Sequence, residues 1–215
     1  KIPLSIRCDN SRDLEMMPSD LSDFNLYGGI YRYLNLVYVP TISIEQLHIN
    51  PTVDKNGTVG NYEISLKPDN KSTGSKATLT LEIFDHQGKL INTSNQEITV
   101  FEGEKTIFTA KIKKPKLWSP NEPNLYSCKA TISTENGSQT VSEKFGFRHF
   151  EFADHGPFYL NGKRLLLRGT HRHEDHAGIG AALTEDIMRK EMILMKEMGV
   201  KIGRASCRER VCYVV

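Results

Sequence analysis

The chain has 215 residues, of which 38% are hydrophobic and 25% charged, an ordinary make-up for a water-soluble protein of one or two domains with ample length for a core. A formal net charge of +2 is too small to signal nucleic acid, and no apolar run approaches the roughly 20 residues that cross a bilayer. Neither a nucleic-acid nor a membrane partner is therefore expected.

The chain opens in mid-pattern without an initiator Met. Its natural beginning is expected to be missing, which leaves periplasmic, secreted and cytoplasmic locations all open. In residues 1–39, two strand patterns at 4–8 and 30–39 flank a polar, turn-rich stretch. Two strands cannot bury a core alone, so this part reads as the end of a larger β domain. Cys8 and Cys128 lie on strand-like segments and read as buried free thiols.

From residue 41 to 149 the pattern is all β, with strands at 44–49, 61–66, 77–84, 97–100, 106–112, 126–133 and 140–147. Turns such as Asn56-Gly57, Gln87-Gly88 and Asn136-Gly137 separate most of them. About seven short strands in this length predict an immunoglobulin-like sandwich. Lys111, Lys113, Lys114 and Lys116 alternate with apolar residues or precede a turn, as on a solvated strand face. Trp118 lies in a proline-containing loop and is expected to plug an interdomain seam.

From residue 158 the period changes. Asn161-Gly162 is a hairpin signal, residues 164–168 read as a strand, and 169–183 as a polar loop. A helix follows at 185–198, with Thr184 as N-cap and Glu185 and Asp186 complementing the helix dipole. Met188, Met192, Met195 and Met198 fall at helical spacing and are expected to pack against a sheet; Gly199 suits the position after the helix. Strand, loop and helix in this order begin an α/β barrel, whose chemistry sits on loops that follow strands.

That loop carries His171, His173, Glu174, Asp175 and His176, and the cluster admits three readings. It suits a metal site, although the spacing matches no helix-based zinc motif. It also suits histidines satisfied by backbone carbonyls, or a polar rim that hydrogen-bonds a hydroxyl-rich ligand.

Three separate stretches resemble glycoside hydrolase family 2, the family of β-galactosidases, β-glucuronidases and β-mannosidases. Ser22-Asp-Phe-Asn-Leu-Tyr-Gly-Gly-Ile-Tyr-Arg32 resembles the close of its jelly-roll domain. Leu117-Trp-Ser-Pro-Asn-Glu-Pro-Asn-Leu-Tyr126 with Phe145-Gly-Phe-Arg148 resembles its second, sandwich domain. Phe158-Tyr-Leu-Asn-Gly162 through Arg168-Gly-Thr-His-Arg-His-Glu174 resembles the opening of its barrel.

The resemblance implies a mainly β, multidomain chain. Residues 1–39 would be the C-terminal part of a jelly-roll sugar-binding domain, 40–149 an immunoglobulin-like β-sandwich, and 150–201 the first strand-helix unit of a truncated (β/α)8 TIM barrel. Residues 202–215 read as a non-native tail that resembles a translated sequencing adapter; it contains Cys207 and Cys212. By the same resemblance Asp23 and His173 bind the sugar, while Arg168 and Glu174 shape the pocket. His171 stands where the family commonly has Asn. The implied parent is a retaining, β-galactosidase-like β-glycosidase with a carbohydrate substrate. Its core chemistry needs no cofactor; an activating cation and homo-oligomerisation of the parent stay open, and no metal ligand is assigned. Neither catalytic glutamate can be placed in these residues, so the chain is expected to be inactive. The alternative is a glycan-binding protein with a degenerate barrel.

Overall fold

The computed structural model describes residues 3–9, 11, 27–69 and 73–205, the last four by their backbone alone. The chain divides into two compact units. One comprises residues 37–166, the other residues 1–36 with 167–215.

The first unit is a sandwich. One sheet has the order β1-β2-β5, from β1 (Ile44–Val53), β2 (Val59–Pro68) and β5 (Lys105–Lys113). The other has the order β4-β3-β6-β7, from β3 (Lys76–Phe84), β4 (Leu90–Thr99), β6 (Tyr126–Thr134) and β7 (Gly137–Phe145). All neighbours within the two sheets run antiparallel. Alternation explains the architecture. Leu79, Leu81 and Ile83 of β3 and Cys128, Ala130 and Ile132 of β6 point inward, as do Tyr62, Ile64 and Leu66 of β2, and all are buried in one cluster. Each such large aliphatic side chain contributes roughly 1.5–3 kcal/mol by leaving water. The four lysines of residues 111–116 are solvent-facing, as their alternation predicts.

All seven sandwich strands read from the sequence are present, most with longer bounds. β4 extends furthest, because its inward positions include Asn92, Ser94 and Gln96, which mask a strand pattern. Two of these polar groups are satisfied across the sandwich: Asn92 donates to the Tyr62 hydroxyl (3.3 Å) and Gln96 to the Ile107 carbonyl (3.5 Å). At the start of β6 the Tyr126 hydroxyl accepts the Lys116 backbone N–H at 3.0 Å, the arrangement of a tyrosine corner. Burial pushes the Cys128 thiol up to about 12. Gly60 is a steric necessity, since a Cβ there would lie 2.8 Å from the ring of fully buried Phe147.

A small sheet of order β10-β9-β8 ends this unit, from β8 (Phe150–Phe152), β9 (Phe158–Leu160) and β10 (Lys163–Arg164). Asn161 and Gly162 both have positive φ, as a tight hairpin turn requires. The Asn161 side chain donates to the Trp118 carbonyl at 3.0 Å. Trp118 itself is half-buried within the sandwich unit, with the Arg148 guanidinium 5.2 Å above its ring.

The second unit contains β11 (Gly169–Arg172), α1 (Glu185–Glu197) and β12 (Ile202–Ala205), with β12 parallel to β11. This is one βαβ step. The barrel strand therefore lies at Gly169–Arg172 and not at 164–168. Leu165, Leu166 and Leu167 imitate a buried strand, whereas the true strand has no large apolar residue and owes its place to a distant partner. Residues 202–205, read as part of a tail, supply that partner. The helix ends as its Gly199 predicts: Gly199 N–H bonds the Lys196 carbonyl and Val200 N–H the Met195 carbonyl, both at 3.0 Å, a Schellman motif. Thr184 stands at the N-cap with extended backbone but makes no side-chain capping bond.

Three further expectations are corrected. Residues 4–8 and 30–39 form no strand; their alternating pattern finds no ladder among the described residues, and a strand exists only with a neighbour. Cys8 is exposed, for the same reason. The methionine stripe is not core: no residue of α1 is buried, and Met192 and Met198 are exposed.

Candidate functional site

Three of the sequence-predicted site residues, His171, His173 and Glu174, fall on β11 and the loop after it, where strand-like alternation continues past the strand's end. His171, His173 and Asp175 are exposed, whereas Arg172 and Glu174 between them turn inward. The two rows carry different chemistry.

The inward row forms a chain of ion pairs. Arg172 donates through Nε to Glu191 of α1 at 2.8 Å and through Nη1 to Glu174 at 3.3 Å. The other Glu174 oxygen accepts from Arg32 at 3.0 Å. Arg32 also donates to the Leu183 carbonyl at 3.1 Å and lies 3.8 Å from the Met188 sulfur. His176 Nδ1 is 3.3 Å from the second Glu191 oxygen. The side chains of Arg32, Arg172 and Glu174 are each less than one-fifth exposed, so these charges are better shielded from water than ordinary surface pairs. Partial burial alone would raise the Glu191 pKa, but the hydrogen bonds and charges of Arg172 and His176 outweigh it and hold the carboxyl below its ordinary value.

A second contact ties the same segments. The Tyr27 hydroxyl donates to both Asp175 oxygens, each 3.0 Å away. Its ring lies so close to Gly180 that a Cβ there would come within 2.7 Å of it. Gly180 has positive φ and closes a tight turn with His176, through Gly180 N–H to the His176 carbonyl (2.9 Å) and His176 N–H to the Gly180 carbonyl (3.1 Å).

Among the outward residues, His171 and His173 line an open hollow of about 250 Å³ with Thr170, Arg172, Glu191, Leu194 and Met195. Arg168 is exposed, and its carbonyl accepts the Lys201 N–H at 2.8 Å. Asp23 lies outside the described residues. Among those described, no three of His, Cys, Asp and Glu converge as metal ligands. Tyr27, Arg32, Arg172, Gly180 and Glu191 were assigned no role from the sequence. Tyr27 and Arg32 sit inside a motif that was recognised, but the pairing of Arg172 with Glu191 leaves no signal in spacing.

Two family sequence models match this chain: glycosyl hydrolases family 2 over residues 42–148 and the family 2 TIM barrel domain over residues 151–207. The crystal structure of Parabacteroides merdae β-glucuronidase superposes with a TM-score of 0.88 at 50% identity, covering 93% of this chain and 25% of that one. The apo structure of Bacteroides uniformis β-glucuronidase 3 gives 0.83 at 49% identity, covering 93% of this chain and 24% of that one. A Formosa agariphila protein with a provisional β-glucuronidase name is 41% identical over 95% of this chain and 24% of its own length. The chain thus spans about a quarter of the length of these relatives. A sandwich followed by the opening step of a barrel, with these matches, places the chain among the glycosyl hydrolase families. Within that class, the chain belongs to glycosyl hydrolases family 2.

Proposed function

We propose that the whole protein is a retaining β-glycosidase and that these residues supply part of its sugar-binding rim. In this reading Asp23 and His173 hold the sugar, with Arg168, His171 and Glu174 shaping the pocket. The carrying observation is the meeting of residues 27–32 with the loop after β11, through Tyr27–Asp175 and Arg32–Glu174. Asp23 stands four positions before Tyr27 in the sequence, a reach of at most about 14 Å, and Asp175 stands two positions after His173. The domain plan assigned from the sequence accompanies this reading: a jelly-roll end over 1–39, a sandwich over 40–149, the start of a barrel over 150–201 and a tail over 202–215.

The substrate proposed is a β-glucuronide, because relatives at 50% and 49% identity are named β-glucuronidases. A β-galactoside is the second reading, supported by relatives named β-galactosidases at 28% and 30% identity. Retention needs two carboxyls roughly 5–5.5 Å apart on opposite sides of the scissile bond. Glu174 has both oxygens engaged by arginines and Asp175 accepts from Tyr27, so neither is assigned such a role. The acid/base and the nucleophile are placed outside these 215 residues, and the chain itself is expected to be inactive.

The test is hydrolysis of p-nitrophenyl β-D-glucuronide and β-D-galactoside by a chain extended to its relatives' length, with the anomer released followed by NMR. Hydrolysis with retention is expected, and Asp23→Ala should lower kcat/KM on the order of a hundredfold. Inversion overturns the mechanism, and binding without hydrolysis favours a glycan-binding protein with a degenerate barrel. Turnover by the 215-residue chain overturns the placement of the carboxyl pair.

A further inference from the structure

We infer that Arg32 is a positioning residue: its guanidinium fixes the loop between β11 and α1 and thereby sets the presentation of the His173 ring, with Tyr27 as its auxiliary. The inference rests on the sugar-site reading above only for what the ring is presented to.

The loop is held at its two ends and in its middle. Residues 173–184 join β11 to α1, and a connection of that length samples many conformations unless its ends and middle are tied. Arg32 ties both ends at once, through the Glu174 carboxylate at the start and the Leu183 carbonyl at the finish. Tyr27 ties the middle through Asp175 and the close approach to Gly180.

His173 lies between the two inward residues of the ion-pair chain. Arg172 before it is anchored to Glu191 of the helix, and Glu174 after it is anchored by Arg32 and Arg172. Both neighbours of His173 are therefore anchored through their side chains, while His173 itself is exposed. A guanidinium suits this task because its rigid fork presents several donors in fixed directions. An ammonium would retain the charge but serve the carboxylate and the carbonyl less well together. The charge complement is also directional. Removing Arg32 would leave Glu174 to Arg172, which already serves Glu191.

The test uses the 215-residue chain with Arg32→Met, Arg32→Lys and Tyr27→Phe. Amide exchange in peptides spanning residues 173–183 reads loop order, exchange in β6 is an internal control, and the NMR signals of the His173 ring report its presentation. Arg32→Met should raise exchange over 173–183 at least tenfold and broaden or split the His173 signals while β6 is unchanged. Arg32→Lys should recover only part of the protection. Unchanged loop exchange in Arg32→Met overturns the inference, and complete rescue by Lys overturns the role of the fork. Where Arg32→Met also loosens β6, Tyr27→Phe decides: it keeps the ring, and should raise exchange severalfold near residues 175–180; no change there overturns the inference. None of these measurements needs a sugar. Failure of hydrolysis in the extended chain would thus remove the glycosidase reading and leave this one standing, and unchanged exchange would do the reverse.

Discussion

Several residues in this chain are dictated by what a side chain there would touch. Gly60 is the clearest: an added Cβ would meet two atoms of the Phe147 ring below 3.0 Å and Pro115 at 3.0 Å. Phe147 is fully buried and packs edge-on against Tyr62, Tyr126 and Phe145, so it has little room to yield. Overpacking of this kind typically costs 1–3 kcal/mol. Gly60→Ala should therefore lower the stability of the sandwich by about 2 kcal/mol, measured by urea unfolding followed through Trp118 fluorescence. An unchanged midpoint would show that the ring moves aside. The sequence marks Gly60 only as a glycine near a strand; the reason for it sits at Phe147, far along the chain.

At the scale of elements, legibility followed the side-chain period. Strands with strict apolar alternation, such as β3 and β6, are read almost to the residue. β4 is half hidden because polar side chains fill inward positions and are satisfied from the opposite sheet. The barrel strand is misplaced because Leu165–Leu167 carry the apolar signal and Gly169–Arg172 carry the pairing. The helix is legible, its closing Gly199 included, but its partners are not. The Glu191 carboxyl of α1 is held below its ordinary value, chiefly against partial burial, by Arg172 and His176. A carboxyl lowered on folding contributes stability that is present above its unfolded pKa and lost as pH falls through the folded one. Protection of the α1 amides should accordingly decline as pH drops below about 4.5, the unfolded reference. In Glu191→Gln that part of the decline should vanish, with protection already reduced at neutral pH because Arg172 loses its charged partner on the helix and keeps only Glu174. Identical pH slopes in the two chains would refute the coupling.

Taken as a whole, the chain joins two units of unequal solidity. The sandwich unit holds a contiguous buried cluster, whereas Leu183 is the one buried hydrophobic residue of the barrel unit among those described. Regions with few buried apolar contacts open first. Thermolysin should therefore cut within residues 167–205 before it cuts the sandwich, leaving a resistant core near residues 37–166 by mass spectrometry. Cleavage of both at one rate would contradict this. The order of modules was readable from the sequence, and so was the nearness of His171 and His173, which line one hollow. The ion-pair chain was not, because Arg32 meets Glu174 and Leu183 across a separation that no local period encodes. The narrow gap between Gly180 and the Tyr27 ring carries a further consequence for descent. A side chain acquired at 180 would push the Tyr27 ring away from Asp175, so a change at 180 is expected to be accompanied by a change at 27.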